Sequence, residues 1–440
     1  MMQRDINKIQ TIIFRHRLIA YLLVLRYAQL FSKINSSGNR LTKTEPDKKT
    51  TYSYDPLYRL TQALPTKLKG KDKEQENKAE AFSYDPVGNR LTGPRANDYY
   101  SYNEGNELLS DKKHNYEYDA NGNLTSKTSS EGTTKYSYDY ENRLTKVTTP
   151  NGTVAEFKYD PFGRRVEKKV ESTDLTKVYN YVYDNEDIIL EYLTKTKDDD
   201  GEGRTRITRY IHGLGIDEPL SFTNNKGETY FYHADGLGSI IALTDMTGNV
   251  AQTYEYDSFG NMKKQGNINQ PYTYTGREYD KETGLYFYRA RYYDAEGGIF
   301  TTPDPLNIAR VLLLRQNSST SVSADQIYNL ALRNPQMLNE FSYATNNPLT
   351  YTDPYGEMSQ IVGGVIAIGG TGALIGFTAC MDNCIGGIKE CQQRTEPMTS
   401  AQMQNYAKCA KTCFSPTKLW EFLIEPLGAI ITTVIEGINH

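Results

Sequence analysis

The stretch YSYDYENRLT at residues 136–145 decides the fold, because close variants of it recur along the chain. Each copy contains Tyr-x-Tyr-Asp or Phe-x-Tyr-Asp, a turn rich in Gly or Asn, and a short polar and aliphatic run. The copies lie roughly 20 residues apart where they are densest. Clear copies occupy residues 52–61, 82–92, 116–125, 136–145, 157–166 and 254–262, and weaker ones 36–42 and 181–184. Such repetition predicts a stack of similar structural units.

Each copy has the composition of a β-hairpin. Two aromatic residues two positions apart project from the same face of a strand. The Asp that follows can accept hydrogen bonds from backbone N–H groups two residues further on. Pro at positions 56, 86 and 161 presets φ for a turn, and glycines such as Gly122 supply a positive φ. The run after the turn restores the alternation of a second strand.

Stacking is required because one hairpin cannot bury its aromatic face alone. The chain has 36 Tyr against 14 Phe and 1 Trp, which suits a surface that is apolar in body and wet at the hydroxyl. We therefore predict a mainly β fold, a spiral of tyrosine-aspartate hairpins forming part of a hollow shell, with a small α-helical module at the C-terminus. Periodicity alone fits an open β-solenoid with a tyrosine stripe equally well.

Charge and cysteine distribution divide the chain further. The net charge is −4 with both signs interspersed, so no nucleic-acid partner is expected. Cysteine is absent before residue 380 and then occurs at Cys380, Cys384, Cys391, Cys409 and Cys413. This boundary predicts a separate C-terminal module.

The N-terminal segment 1–35 does not match the repeat. Its apolar stretch at 18–25 is too short to span a membrane, and no small-residue cleavage site follows it. The weak copy at 36–42 is predicted to lack its first strand. We interpret residues 1–33 as a non-native start or the edge of a fragment, with a weak export signal as the alternative.

A long ordered segment follows the repeats. It reads GREYDKETGLYFYRARYYDAEGGIFTTPDPL at residues 276–306 and NEFSYATNNPLTYTDPYG at 339–356. With the repeats, it resembles the YD repeats and associated core of Rhs proteins, of the C subunits of bacterial insecticidal Tc toxins, and of teneurins. The resemblance covers about residues 36–356.

The resemblance implies a domain organisation and an activity. A β-shell at 36–270 would be closed by a core or plug at 271–356, and residues 357–440 would be a variable toxin held inside. In that family the core cuts its own chain as an aspartyl protease just beyond the DPxG phrase.

By the resemblance, the self-cleaving residues are Asp294 of RYYD and Asp304 of PDP, with Arg291 as a positioning cation. Two carboxylates that share a proton can act as base and acid. The cleavage region is Gly356, Glu357 and Met358, and Asp353 is interpreted as a turn residue.

Two departures from the family pattern bear on cleavage. Glu357 stands where the family has Leu and adds a negative charge near two carboxylates. The family's Gly-Arg-Phe reads Gly298-Ile299-Phe300 here. The alternative is that both aspartates only cap turns.

No cofactor and no metal site are predicted. His212 and His233 lack the spacing of metal ligands, and a structural role is favoured for both.

The tail combines a possible membrane segment with paired cysteines. Residues 361–379 contain no charged residue, and this stretch is long enough to span a bilayer as a helix. Its six glycines fit a linker threaded through the shell equally well. Cys380, Cys384, Cys409 and Cys413 are disulfide candidates on two helices, with a zinc site as the rival. Residues 419–438 are predicted to be amphipathic.

These features favour the carrier portion of a polymorphic toxin, secreted or at the cell surface, with a tail that acts on membranes. Possible partners are an immunity protein for the tail and a membrane or target-cell surface. The only enzymatic activity predicted is self-proteolysis. Alternatives are a cell-surface adhesion protein that binds glycans or partner surfaces, and a truncated remnant of a larger Rhs protein.

Overall fold

The computed structural model describes residues 31–45, 48–68, 79–94, 99–196, 204–306 and 335–357. Internal contacts divide the chain between residues 360 and 361, and every described residue lies in the first unit. The predictions for the helical module, the glycine-rich segment, the amphipathic segment, the cysteine pairs and Met358 lie outside the described residues.

The N-terminal repeats form two small antiparallel sheets. The first has five strands in chain order, β1 (Phe31–Ile34), β2 (Arg40–Thr44), β3 (Lys48–Tyr54), β4 (Leu60–Lys67) and β5 (Glu80–Ala81). The second has two strands, β6 (Ser83–Tyr84) and β7 (Arg90–Thr92). Because β1 pairs with β2, the prediction that the copy at 36–42 lacks its first strand is wrong. Strand pairing uses the backbone, and the sequence FSKI simply lacks the tyrosine pair that marks the other copies.

The central sheet is a meander of sixteen strands in which each strand pairs with its chain neighbours. The strands are β8 (Ser101–Tyr102), β9 (Leu108–Ser110), β10 (Asn115–Tyr118), β11 (Leu124–Ser129), β12 (Gly132–Tyr138), β13 (Leu144–Thr148), β14 (Val154–Tyr159), β15 (Arg165–Ser172), β16 (Leu175–Asp184), β17 (Asp187–Thr196), β18 (Arg204–His212), β19 (Pro219–Thr223), β20 (Thr229–Ala234), β21 (Ile240–Asp245), β22 (Val250–Tyr256) and β23 (Met262–Gln265).

The segment after the repeats forms a compact core sheet. Its four antiparallel strands are β24 (Glu278–Asp280), β25 (Leu285–Tyr288), β26 (Arg291–Asp294) and β27 (Ile299–Phe300). Short 3₁₀ turns flank it at Tyr274–Gly276, Pro335–Leu338 and Tyr343–Asn346. Every residue of β25, β26 and β27 is buried, which is unusual for short strands and marks this sheet as the centre of the packing.

In the six clear repeats, the aspartate organises its turn through both carboxylate oxygens. In the repeat at 136–145, Asp139 Oδ1 accepts from the Glu141 and Arg143 backbone N–H groups at 2.9 and 3.0 Å. Oδ2 accepts from Arg143 Nε at 2.8 Å. Asn142 adopts φ +60° and the strand register shifts beside Tyr138, the signature of a type I turn with a bulge. The predicted Asp-centred turn is therefore present.

The second tyrosine of a repeat joins it to the preceding one. Tyr183 Oη donates to the Arg165 carbonyl at 2.9 Å, and Arg164 lies over the Tyr183 ring at 5.3 Å. Tyr54, Tyr84, Tyr159 and Tyr256 make the same kind of bond to a carbonyl in the strand that follows the previous turn. Neighbouring hairpins are thus linked by side chains as well as by the ladder.

The aromatic face of the central sheet packs on the core. One apolar cluster contains Tyr116, Tyr136 and Tyr181 of the repeats together with Phe287 and Tyr292 of the core. In the described part of the chain, β8 and β23 end the strand order, so the sheet does not close on itself. The prediction of a mainly β fold built from tyrosine-aspartate hairpins is confirmed.

Candidate functional site

Strand β26 sends alternate side chains to two different environments. It pairs with β25 and β27, so Arg291 and Tyr293 project to one face and Tyr292 and Asp294 to the other. Tyr293 belongs to a cluster within the core, whereas Tyr292 belongs to the cluster shared with the repeats. Residues three apart on a strand cannot meet at one site, which separates Arg291 from Asp294.

Arg291 is buried and uses all three guanidinium nitrogens. Its Nε donates to the Gly356 carbonyl at 2.5 Å, and Nη1 donates to the Glu340 carbonyl at 2.7 Å. Its Cζ lies 3.6 Å from the centre of the Phe300 ring, which fixes the plane of the guanidinium. The side chain therefore ties the end of the core to β26.

Two buried carboxylates share the remaining nitrogen of Arg291. Nη2 lies 2.9 Å from Asp304 Oδ2 and 3.1 Å from Asp353 Oδ2. Asp304 Oδ1 accepts from the Leu306 N–H at 2.8 Å, and Asp353 Oδ1 accepts from the Glu357 N–H at 3.0 Å. The second bond places Asp353 beside the nitrogen of the peptide that joins residues 356 and 357.

The surroundings of this pair shift the pKa of the Asp353 carboxyl. Burial raises the pKa of the Asp353 carboxyl above its ordinary value, and the negative charge of Asp304 raises it further. The Arg291 guanidinium opposes both effects. Two acids held on one cation can take different protonation states, which is what acid and base catalysis on one bond requires.

Gly356 sits where no other residue fits. Its φ is +65°, and a Cβ built on it would clash with the Tyr288 carbonyl oxygen. Its N–H donates to the Asp353 carbonyl at 3.3 Å, and the neighbouring Tyr355 carbonyl accepts from the Ala290 N–H at 3.1 Å. These two bonds hold the peptide before Gly356, and the peptide after it is held at its carbonyl by Arg291 and at its N–H by Asp353.

Asp294 lies elsewhere. Its Oδ2 accepts from Lys127 Nζ at 2.7 Å, and its Oδ1 accepts from the Glu296 N–H at 3.0 Å. Lys127 is on β11, so this ion pair joins the core to the repeats. Asp294 also organises the turn that leads into β27, since its carbonyl accepts from the Gly298 N–H at 2.8 Å.

Four of the predicted site residues thus converge, namely Arg291, Asp304, Gly356 and Glu357. Asp294 does not join them, and the second carboxylate is Asp353, which the sequence analysis interpreted as a turn residue. Asp353 does serve in a turn, because Gly356 N–H bonds its carbonyl. The signal that could have found it is its position three residues before the expected cut.

The two histidines bond within the sheet. His212 Nε2 lies 3.0 Å from the Ile188 carbonyl, and His233 Nε2 lies 2.9 Å from Thr244 Oγ1. Among the described residues, no group of three or more His, Cys, Asp or Glu side chains is arranged to hold a metal ion. Helices long and apolar enough to cross a bilayer are likewise not found in the described ranges.

Comparisons with known proteins agree with this architecture. The family profile described as Teneurin YD-shell matches residues 12–360. The tRNA3(Ser)-specific nuclease WapA of Bacillus spizizenii is 31% identical over 303 residues, which are 66% of this chain and 11% of that protein. Double-stranded DNA deaminase toxin A of Burkholderia cenocepacia is 27% identical over 293 residues, 59% of this chain and 19% of that protein.

The chain spans less than a fifth of the length of these relatives. Among solved structures, the TcdB2–TccC3 complex aligns at 17% identity with a TM-score of 0.39, over 74% of this chain and 19% of that one.

Proposed function

This chain belongs to the teneurin YD-shell family, and from that premise we propose that it is the carrier portion of a polymorphic toxin of the Rhs type. Residues 36–270 form the shell, 271–356 the plug, and residues from 357 onward the effector. The relatives named as a tRNA nuclease and a DNA deaminase toxin support a carrier role, because their names describe different effector activities on similar repeats.

The proposal depends on one observation: the Gly356 carbonyl accepts a hydrogen bond from Arg291, which also contacts two carboxylates. An N–H donor aimed at a carbonyl oxygen stabilises the negative charge that develops there when the carbon is attacked. The site of Gly356 has no room for a side chain, and the N–H of the following peptide bonds Asp353. Both features hold this peptide in one position. This is the arrangement that hydrolysis of the 356–357 bond needs.

We assign the steps as follows. Asp304 takes a proton from water as the water oxygen bonds the Gly356 carbonyl carbon. Arg291 Nε–H stabilises the resulting oxyanion. Protonated Asp353 then donates its proton to the Glu357 nitrogen, the C–N bond breaks, and the products are a carboxyl group on Gly356 and an amine on Glu357. The raised pKa of Asp353 suits the acid role.

The tail completes the proposal outside the described residues. We propose that released residues 357–440 act on membranes, that Cys380, Cys384, Cys409 and Cys413 form disulfides, and that a separate immunity protein binds the tail. An effector of this kind requires secretion or display at the cell surface.

Self-cleavage is tested by expressing the full chain and the variants Asp304→Asn, Asp353→Asn and Asp294→Asn. We expect the wild type and Asp294→Asn to yield two fragments on denaturing gels, the second beginning at Glu357 by N-terminal sequencing. Asp304→Asn and Asp353→Asn should slow cleavage by about 10² to 10⁴.

Asp294→Asn is the matched control, since it removes a buried core carboxylate of the same chemistry. An uncut wild-type chain, or cleavage that survives Asp304→Asn and stops in Asp294→Asn, would contradict the assignment. Carrier function is tested separately, because the cut tail should remain with the shell in size-exclusion chromatography until denaturant is added.

A further inference from the structure

Arg90 and Arg165 occupy the same position of their repeats, five residues after the turn aspartate. At the same position, Leu60, Leu124, Leu144 and Ile240 place a fully buried aliphatic side chain. Arg90 and Arg165 are buried as deeply, with 4% and 1% of their surface exposed. Burying a guanidinium costs free energy unless its charge and its N–H groups are satisfied.

The two arginines differ in what satisfies them. Arg165 Nη1 pairs with Asp280, and Nη2 pairs with Glu278 at 2.7 Å, so two core carboxylates neutralise it. Within the described chain, the guanidinium group of Arg90 makes one hydrogen bond, from Nη1 to the Gly297 carbonyl at 3.3 Å. Its Nε and Nη2 are buried without a hydrogen-bond partner.

The ring contacts of Arg90 cover only part of its guanidinium. Its Cζ lies 3.9 Å from the centre of the Phe259 ring and 5.1 Å from that of Phe82. Rings attract the face of a guanidinium but accept no strong hydrogen bond from its edge. The donors at the edge remain unpaired.

Arg90 also lines a cavity. Asn89, Asn106, Asn339, Ser342 and Asn346 contribute the polar part of its wall, Tyr102, Ile299 and Phe341 contribute the apolar part, and the cavity is partly open to solvent. A buried guanidinium with unpaired donors beside the polar part of this wall is suited to a small anion.

The acidic groups near Arg90 do not replace an anion. Asp257 Oδ1 accepts from the Phe259 and Asn261 N–H groups, and Glu80 accepts from the Ser258 hydroxyl. Burial raises the pKa of both carboxyls, that of Glu80 to about 7, with mutual repulsion adding to the shift of Glu80. The other titratable neighbours are the tyrosines Tyr84, Tyr100, Tyr102 and Tyr293.

We propose that this cavity binds one small monovalent anion, a halide or a carboxylate group, on the unpaired Nε and Nη2 edge of Arg90. The anion takes the place that Asp280 and Glu278 fill at Arg165. It links the repeat at 82–92 to the turn at Gly297 and so stabilises the contact between the N-terminal repeats and the core.

The test is the melting temperature of the full chain in sodium chloride, bromide, acetate or gluconate, at constant ionic strength. We expect the melting temperature to rise and then level off with chloride, bromide or acetate, and to stay constant with the larger gluconate. The rise should be greater at pH 6 than at pH 8, because protonated Glu80 leaves the guanidinium charge less compensated. Comparing chloride with acetate distinguishes a halide from a carboxylate as the preferred ligand.

Arg90→Leu is the decisive variant, since leucine is the residue that other repeats bury at this position. It should fold and lose the anion dependence, whereas Arg143→Leu, on a different repeat, should keep it. Crystals soaked in bromide provide the direct measurement, with an anomalous peak expected beside Arg90 Nε and Nη2. An absent peak, no dependence in the wild type, or a dependence that persists in Arg90→Leu would each overturn the proposal.

Discussion

At the scale of single residues, the geometry around Gly356 depends on its backbone conformation and on one buried cation. The backbone is in the left-handed region, and the carbonyl is fixed by a buried cation. A left-handed residue other than glycine costs about 1–2 kcal/mol. At Gly356 a side chain would also meet the Tyr288 carbonyl, so the residue is constrained twice.

Gly356→Ala should therefore abolish or strongly slow the proposed cleavage. The added methyl group displaces the peptide from Arg291, and the carbonyl loses its donor. The measurement is the rate at which the fragment beginning at Glu357 accumulates. Gly227→Ala is the control, because Gly227 has φ +79° with open space around its Cβ. Gly227→Ala should lower the free energy of unfolding by about 1–2 kcal/mol and leave the cleavage rate unchanged. Equal cleavage rates in the two variants would refute the role proposed for the bond between Arg291 and the Gly356 carbonyl.

At the scale of elements, adjacent repeats are joined by the backbone ladder, by a tyrosine hydroxyl and by an arginine side chain. The backbone ladder is continuous across the central sheet. The Asp-centred turn sets the register of each hairpin, and a tyrosine hydroxyl with an arginine side chain bridges adjacent turns, as in Tyr183 with Arg164 and Arg165. A tyrosine is needed there because phenylalanine would leave a buried carbonyl without its donor.

Tyr183→Phe should lower the free energy of unfolding by about 1–2 kcal/mol, since it removes one buried hydrogen bond and little volume. Chemical denaturation of the full chain measures the change. Tyr140→Phe is the matched control, because Tyr140 occupies a turn of the same sheet with 90% of its surface exposed. A loss in Tyr140→Phe as large as in Tyr183→Phe would show that the bridging bond contributes nothing.

At the scale of the whole described unit, charged pairs join the core to distant repeats. Lys127 binds Asp294, Arg165 and Lys168 bind Asp280, and Arg277 binds Asp217. Backbone bonds add to them, since the Leu124 N–H donates to Thr301 and the Ile240 N–H to Thr273, both at 2.9 Å. The core therefore fastens to strands that are far apart in the sheet.

One carboxyl in this contact makes stability depend on pH. Glu191 of β17 is buried, and burial raises its pKa to about 7, although the nearby Lys168 charge lowers it somewhat. The folded chain therefore binds this proton more tightly than the unfolded chain. The resulting stabilisation is complete below the ordinary pKa of 4.5 and is lost as pH rises through about 7.

Glu191→Gln should flatten the fall in stability between pH 5 and pH 8 by up to about 3 kcal/mol. Denaturation midpoints measured across that range give the slope. Part of the pH dependence of stability should remain in Glu191→Gln, because the pKa of Glu80 is also raised to about 7. Glu131→Gln, at an exposed turn, is the control, and an unchanged slope in Glu191→Gln would contradict the assignment.

The sequence by itself determined the repeat, the hairpin and the turn. These depend on residues close in the chain, namely two aromatic residues two apart, an aspartate before a turn and a glycine or asparagine at positive φ. The ordered phrases at residues 276–306 and 339–356 also indicated a distinct segment after the repeats, and a separate four-stranded sheet lies there. The missing first strand at 36–42 was wrongly predicted, because strand pairing does not require the aromatic marker.

Only the tertiary structure decided which carboxylates meet and which arginine is neutralised. Asp294 and Asp304 are near in sequence, but alternation along β26 turns Asp294 toward Lys127, and Asp353 arrives at Arg291 from about 60 residues away. Arg90 and Arg165 share one repeat position, yet the core presents acids to one and a backbone carbonyl to the other. A repeat specifies its own hairpin, whereas the partner of a buried charge depends on what the rest of the chain packs against it.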